Sequence, residues 1–201
     1  GYLAELATEL TALEISPDMA DACRRRVPSA TVLVGDMEDL GDVADASLEA
    51  VVGTCNVLDV LDDPERRALL TEIRRILVPG GLLVFSSHNR DAGVRRPWHP
   101  QDWHRPRALA SFVMRFATHL RNHRRLRALE RDAGDYALRN DEAHGFTMVL
   151  YSISAESQRR QLAETGFTLE RCLTDDGQAL SGAEKSTAPY LHYAARRSTS
   201  A

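Results

Sequence analysis

The sequence contains no long hydrophobic run and few cysteines. No stretch of eighteen consecutive apolar residues occurs, so no membrane-spanning helix is predicted. The cysteines, Cys23, Cys55 and Cys172, are scattered and form no CxxC pair. This spacing excludes a recognisable zinc or iron–sulfur motif and is typical of a protein in a reducing compartment. We therefore predict a cytoplasmic protein without a metal site.

The chain also lacks an excess of positive charge. Its 25 Lys and Arg residues are outnumbered by 29 Asp and Glu residues, which gives a formal net charge of −4. This balance argues against a protein that binds nucleic acid through its overall charge. The first residues, GYLAELATEL, lack a basic segment and do not predict a secretory signal. A length of 201 residues is typical of one domain.

Short apolar runs alternate with amphipathic segments over most of the chain. The run that ends at Glu14 predicts a strand, and a helix is predicted directly after it because Ser16 suits an N-cap and Pro17 suits the first helical position. Further strands are predicted at 30–36, 48–58, 82–87, 167–174 and 190–197, and further helices from Asp63 and at about 155–165. This alternation predicts a parallel sheet with helices on both faces.

Residues 90–153 interrupt the alternation. The segment is rich in arginine and contains both tryptophans. One amphipathic helix and two short strands that can form a hairpin are predicted within it. We expect a cap over the sheet edge, inserted into a single domain that spans residues 1–201.

Several short motifs, each weak alone, occur in a specific order. The chain contains LEISPDM, then GDMEDL, then LEAVVGTCNVLDVLDDPERRALLTEIRRILVPGGLLVFSSHN, and finally LAETGF and YLHYAARR. In this order and spacing it resembles the class I S-adenosylmethionine-dependent methyltransferases of the small-molecule type. The resemblance implies a Rossmann-like, doubly wound α/β fold with a seven-stranded, mostly parallel sheet and an antiparallel last strand. It also implies S-adenosylmethionine as the cofactor.

One part of the family pattern is incomplete. The family begins with a strand and a GxGxG loop that approaches the cofactor closely, and only Gly1 and the helix after it match that motif. A sheet without its first central strand would expose two long edges. The join ATELTALEIS also lacks a turn residue between helix and strand. We therefore expect that residues are missing before Gly1 and near Thr11.

The resemblance assigns the adenosine part of the cofactor to residues at two strand ends. Glu14 would accept hydrogen bonds from both ribose hydroxyls, and Asp36 would accept one from the adenine amino group. Ile15 and Met37 would lie against the two faces of the purine. The alternative is that Glu14 is a solvated loop acid, Asp36 an ordinary cap and Met37 a core residue.

The next two strand ends bear on the kind of substrate. Cys55 and Asn56 would face the methionine part of the cofactor, or else form an ordinary buried strand end. Their segment, CNVLDV, differs from an NPPY-like motif, which argues against methylation of nucleobase amino groups. The later strand ends in SSHN, without the acidic triad of a catalytic magnesium site.

Candidate catalytic and substrate residues follow from this reaction. A base is needed if the nucleophile carries a proton, and His88 and His144 are the candidates, although a lone histidine is more often structural. Trp98, Trp103 and Tyr151 are candidates to wall an apolar substrate pocket, although aromatic residues more often belong to the core.

We predict methyl transfer to an oxygen or nitrogen atom of a small molecule, in bacterial secondary metabolism. Two alternatives stay open: an NAD(P)-dependent Rossmann oxidoreductase, and a non-catalytic cofactor-binding protein of the same fold. The predicted partner is the small-molecule acceptor. Neither nucleic acid nor membrane is expected, and formation of a homodimer is left open.

Overall fold

The computed structural model describes residues 2–93, 106–140, 144–181 and 184–199. It describes the side chains of all these residues except 106–115. The chain divides into two compact units, Gly1–Asp45 and Ala46–Ala201. Within the described ranges, no helix is long and apolar enough to cross a lipid bilayer.

The first unit contains a two-stranded parallel sheet. Its elements are α1 (Tyr2–Leu6), β1 (Thr11–Glu14), α2 (Pro17–Arg26) and β2 (Thr31–Val34). The start of α2 is confirmed, since the Ser16 hydroxyl accepts a hydrogen bond from the Met19 backbone N–H and Pro17 is the first helical residue. Glu14 pairs with Val34, so the carboxyl ends of both strands lie at the same edge.

The second unit contains the main sheet. Its strands are β3 (Leu48–Gly53), β4 (Leu77–Asn89), β5 (Arg131–Asp132), β6 (Tyr136–Arg139), β7 (Leu150–Ile153), β8 (Phe167–Thr174) and β9 (Tyr190–Arg197). Its α-helices are α3 (Asp63–Ile76), α4 (Pro106–Leu126) and α5 (Ala155–Glu164), and short 3₁₀ helices lie at 57–60, 90–92 and 127–129.

Strand β4 is the centre of this sheet. The strand order is β5-β6-β7-β4-β9-β8, and β3 also pairs with β4. Strand β9 covers one edge of β4, while β3 pairs with residues 77–85 and β7 with residues 88–89 along the other. The long β4 therefore joins β3 to strands β5, β6 and β7, which lie within the predicted insertion at residues 90–153.

The predicted α/β class is confirmed, but the predicted mostly parallel sheet is not. In the described part of the seven-stranded sheet, the β3–β4 and β4–β7 pairs are parallel, whereas β4–β9, β8–β9, β5–β6 and β6–β7 are antiparallel. The antiparallel last strand is as predicted. The difference arises because β5, β6 and β7 extend the sheet, while β1 and β2 form a separate one.

Helix α3 shows how local sequence builds the core of the second unit. Its start has a capping box in which Asp62 and Glu65 each accept the other's backbone N–H. One face of the helix is buried, with Leu69, Leu70, Ile73 and Ile76. Arg66 lies on that same face and is fully buried, which the apolar periodicity alone does not predict.

We expect the three free cysteines to differ in reactivity. Cys55 is exposed and Cys172 is buried in β8, where burial raises the pKa of its thiol to about 11. Because the thiolate is the nucleophile, iodoacetamide at mildly alkaline pH should label Cys55 first and spare Cys172 in the folded protein. Peptide mass mapping measures this, with labelling in denaturant as the control. Equal labelling rates at both sites would contradict the described burial.

Candidate active site

The carboxyl ends of β1 and β2 bring the predicted adenosine residues to one edge. Glu14 ends β1, and one of its carboxylate oxygens accepts the Ser16 backbone N–H at 2.9 Å. Asp36 follows β2 and accepts the Glu38 backbone N–H at 3.0 Å. Ile15, next to Glu14 in sequence, is 66% exposed. Two acceptors beside an exposed apolar surface fit a nucleoside, whose hydroxyl and amino groups donate and whose base is flat.

The segment after β3 has an unusual backbone. Cys55 and Asn56 both have φ of 56°, in the left-handed region that favours glycine. The Asn56 backbone N–H donates to the Ser86 hydroxyl at 3.0 Å, which fixes the turn. The side-chain oxygen of Asn56 is buried without a hydrogen-bond partner in the described structure. A buried acceptor without a partner is costly, and it fits a ligand group that donates, such as an ammonium.

A fully buried carboxylate lies a few residues further on. Asp59, in the 3₁₀ helix 57–60, is 0% exposed. One of its oxygens accepts from Arg66 Nη1 at 2.7 Å and from the Ser87 hydroxyl at 2.6 Å. The other is 2.7 Å from both the backbone N and the ring Nδ1 of His88. All four lone-pair positions of the carboxylate are therefore used.

The guanidinium of Arg66, which pairs with Asp59, has further hydrogen-bond and aromatic contacts. The Arg66 guanidinium donates to the side-chain oxygens of Gln161 and Gln158, at 3.2 and 2.8 Å. Its Cζ atom lies 4.7 Å from the ring centroid of Tyr151 and 5.7 Å from that of Phe85. Cation–π contacts of this kind strengthen when water is excluded. The Asp59–Arg66 pair thus satisfies the conditions under which a buried ion pair is tolerated.

Tyr151 belongs to the same buried cluster. Its hydroxyl donates to Asp63 at 2.6 Å and accepts from Gln161 at 3.0 Å, and its ring stacks on Tyr136 with centroids 4.8 Å apart. Burial and the hydrogen bond to Asp63 raise the pKa of the Tyr151 phenol far above its usual value. The side chain is 1% exposed, so the structure places this predicted substrate residue in the core.

The two predicted base candidates have different surroundings. His88, near the carboxyl end of β4, is 8% exposed and faces Asp59. Its ring also makes an edge contact with Tyr190. His144 is exposed, and its backbone carbonyl accepts from the N–H and hydroxyl of Thr147. The remaining predicted residues, Gly1, Trp98 and Trp103, lie outside the described residues.

Sequence reasoning missed the residues that surround His88. The predicted site does not include Asp59 or Arg66, although two sequence signals mark them. Asp59 interrupts the apolar run VLDVL, and Arg66 precedes Leu70 and Ile73 by four and seven positions, which is the spacing of one helix face. A charged residue on the apolar face of each of two adjacent elements is a signal for a buried pair.

Comparisons with known proteins show which family the chain resembles. Residues 1–85 match a family model described as a methyltransferase domain. A curated relative, the malonyl-[acyl-carrier protein] O-methyltransferase of Serratia marcescens, is 32% identical over 91 residues, which is 43% of this chain and 34% of the relative. The resemblance to the class I S-adenosylmethionine-dependent methyltransferases is confirmed. The chain spans about a third of the length of that relative.

Solved structures of methyltransferases share the fold over nearly the whole chain. The 1,6-didemethyltoxoflavin-N1-methyltransferase of Burkholderia thailandensis, with bound S-adenosylhomocysteine, has a TM-score of 0.57 and 13% identity over 98% of this chain and 64% of its own. CalS10, an amino pentose methyltransferase from Micromonospora echinaspora with bound S-adenosylmethionine, has a TM-score of 0.58 and 17% identity over 98% of this chain and 77% of its own. Together with the family match, they show that the chain shares the fold of S-adenosylmethionine-dependent methyltransferases.

Proposed function

We propose that this methyltransferase transfers a methyl group from S-adenosylmethionine to an oxygen or nitrogen atom of a small molecule. The observation that carries the proposal is the His88–Asp59 pair at the carboxyl end of β4. A methyl acceptor that carries a proton needs a base, and a histidine whose other ring nitrogen faces a carboxylate has the arrangement of one. The relatives and solved neighbours, named for O- and N-methylation, support both acceptor types.

The cofactor supplies a methyl group on a positively charged sulfur, which needs no metal for activation. The protein must position the methyl acceptor and exclude water and, if the acceptor carries a proton, provide a base that takes it. In this proposal, His88 is that base. We favour it over His144 because it has a carboxylate partner and a fixed ring, whereas among the described residues no side-chain partner of His144 occurs.

The adenosine part of the cofactor is assigned to the edge formed by β1 and β2. Glu14 is proposed to bind the ribose hydroxyls and Asp36 the adenine amino group, with Ile15 against the ring. The exposure of Ile15 supports this assignment, since burial of an apolar side chain of this size under a ligand contributes favourable free energy. Met37 stays a predicted neighbour of the purine, and Cys55 and Asn56 stay predicted contacts of the methionine part.

We expect Glu14→Ala to weaken binding of S-adenosylhomocysteine by roughly 1.5–3 kcal/mol, the contribution of hydrogen bonds to a charged group. Isothermal calorimetry measures this directly. Glu9→Ala is the matched control, since Glu9 is an exposed acid of the same unit. Equal affinities of the wild type and Glu14→Ala would remove Glu14 from the site.

The function itself is tested by binding and by turnover. S-adenosylhomocysteine should bind to the purified protein and quench or shift its tryptophan fluorescence, whereas NADH should not bind. A screen of candidate acceptors with S-adenosylmethionine should then yield a product that has gained one methyl group, detected by mass spectrometry. Binding of NADH alone would favour the oxidoreductase, and binding of S-adenosylhomocysteine without product from any acceptor would favour the non-catalytic protein.

A further inference from the structure

The network around Asp59 determines which nitrogen of His88 carries a proton. Arg66 and the backbone N–H of His88 can only donate to Asp59, and the Ser87 hydroxyl donates to it as well, because its oxygen accepts from Arg66 Nη2. Asp59 forms an ion pair with the guanidinium at 2.7 Å, and a carboxylate can only accept. At the remaining short contact the proton must therefore lie on Nδ1 of His88.

The second ring nitrogen is left as the basic one. A neutral imidazole with a proton on Nδ1 has its lone pair on Nε2. Among the described residues, Nε2 of His88 has no hydrogen-bond partner. The His88 side chain keeps 10% of its surface exposed, while its Nδ1 contacts Asp59 and its ring makes an edge contact with Tyr190. Nε2 is thus the ring nitrogen that is free to accept a proton.

We infer that Asp59 is a positioning residue for the reaction, which holds His88 in the Nδ1–H tautomer and presents Nε2 as the proton acceptor. Arg66 holds the Asp59 carboxylate in place, so the buried ion pair serves the orientation of His88 as well as the core. The inference rests on the proposed methyl transfer, because it assigns the group that makes His88 a competent base.

The proton balance of the step is complete with these groups. The lone pair of the acceptor oxygen or nitrogen forms the new bond to the methyl carbon, and the electron pair of the methyl–sulfur bond stays on sulfur. The acceptor's proton passes to Nε2 of His88, which becomes an imidazolium with a proton on each nitrogen. Asp59 stabilises that cation through its existing contact with Nδ1 and does not itself take the proton.

The tautomer can be measured without knowing the methyl acceptor. Long-range proton–nitrogen correlation spectra of the ¹⁵N-labelled wild-type protein distinguish a protonated from an unprotonated ring nitrogen, and a His88→Gln spectrum assigns the signals. We expect Nδ1 to be protonated and Nε2 unprotonated in neutral His88. A proton on Nε2 would overturn the inference, whatever the activity of the protein.

An Asp59→Asn substitution should reverse the tautomer. The single amide oxygen cannot accept from Arg66 on one side and from the backbone N–H and Nδ1–H of His88 on the other, as the two carboxylate oxygens do. We expect it to face Arg66, the charged donor, which leaves the backbone N–H of His88 without its acceptor and turns the amide NH₂ group toward Nδ1. The ring proton then moves to Nε2, and Nδ1, which faces the protein interior, becomes the unprotonated nitrogen. Turnover should then fall by about the factor lost in His88→Gln, while the dissociation constant of S-adenosylhomocysteine stays within about twofold, because a positioning residue acts after binding.

A purely structural role of Asp59 has a different signature. Leu162→Ala removes a fully buried side chain of α5 that cannot form a hydrogen bond, so it destabilises the core without removing a donor or acceptor of the network, and it is the matched control. It should lower the melting temperature yet keep the tautomer of His88 and the turnover of the folded protein. If Asp59→Asn keeps the wild-type tautomer and turnover, Asp59 does not orient His88. If the wild type fails to bind S-adenosylhomocysteine, the proposed function fails, and the tautomer still decides whether Asp59 sets the proton position.

Discussion

Arg66→Ala is expected to lower the free energy of unfolding by about 3–5 kcal/mol, the cost of leaving a buried charge without its partner. Both Arg66 and Asp59 are 0% exposed, and their side chains meet at 2.7 Å. Without the guanidinium, only neutral groups donate hydrogen bonds to Asp59. The side-chain oxygens of Gln158 and Gln161 also lose the hydrogen bonds that Arg66 donates to them. The stacking contact with Tyr151 is lost as well.

The neighbouring Arg67 provides the control for this prediction. Arg67 contacts Asp63 at 2.8 Å and Glu164 at 2.7 Å, so it forms two ion pairs where Arg66 forms one. Its side chain is 37% exposed, however, and exposed pairs contribute little because water and salt screen them. Urea unfolding should therefore give a change of about 0–1 kcal/mol for Arg67→Ala. Equal changes for the two variants would show that burial does not set the strength of these pairs.

A second variant separates charge from volume at the same position. Arg66→Met retains much of the packing volume against Phe85 and Tyr151 and removes the charge. If the loss comes from the unpaired carboxylate, Arg66→Met should be nearly as unstable as Arg66→Ala. It should also become more stable when combined with Asp59→Leu, since an apolar pair of similar size often replaces a buried ion pair without loss.

The helices of this protein could be predicted from local sequence because their signals are local. Ser16 with Pro17, and Asp62 with Glu65, determine where α2 and α3 begin within one or two residues. The hairpin of β6 and β7 was also predicted from two short apolar runs. Whether neighbouring strands pair in parallel or antiparallel could not be predicted, since a buried strand such as β4 shows the same apolar pattern beside either kind of neighbour.

The same distinction applies to the candidate site. Glu14 and Asp36 were predicted because each ends an apolar run, and the structure places both at one edge of the small sheet. Asp59 reaches His88 across 29 positions of sequence, through a contact that depends on how the segment after β3 packs against β4. Buried charges also run against the usual distribution of residues, so composition gives no reason to place Asp59 inside.

His88→Gln is expected to lower turnover by about a hundredfold or more, the usual contribution of a general base. The glutamine amide can still donate to Asp59, so the buried carboxylate keeps a partner and the change is confined to the loss of a basic nitrogen. Affinity for S-adenosylhomocysteine should be nearly unchanged. The measurement is the single-turnover rate with the acceptor found in the mass-shift screen, so that product release does not mask the chemical step.

His144→Ala tests the other predicted base under the same conditions. His144 is exposed, and no side chain in the described residues orients its ring, so a proton passed to it would gain little over one passed to water. We therefore expect a single-turnover rate within about threefold of the wild type, well short of the loss a base would show. A large loss in His144→Ala with full activity in His88→Gln would transfer the role of base to His144. Full activity in both would mean that the acceptor reacts without a protein base, as a neutral amine can, because its own lone pair is free before the proton leaves.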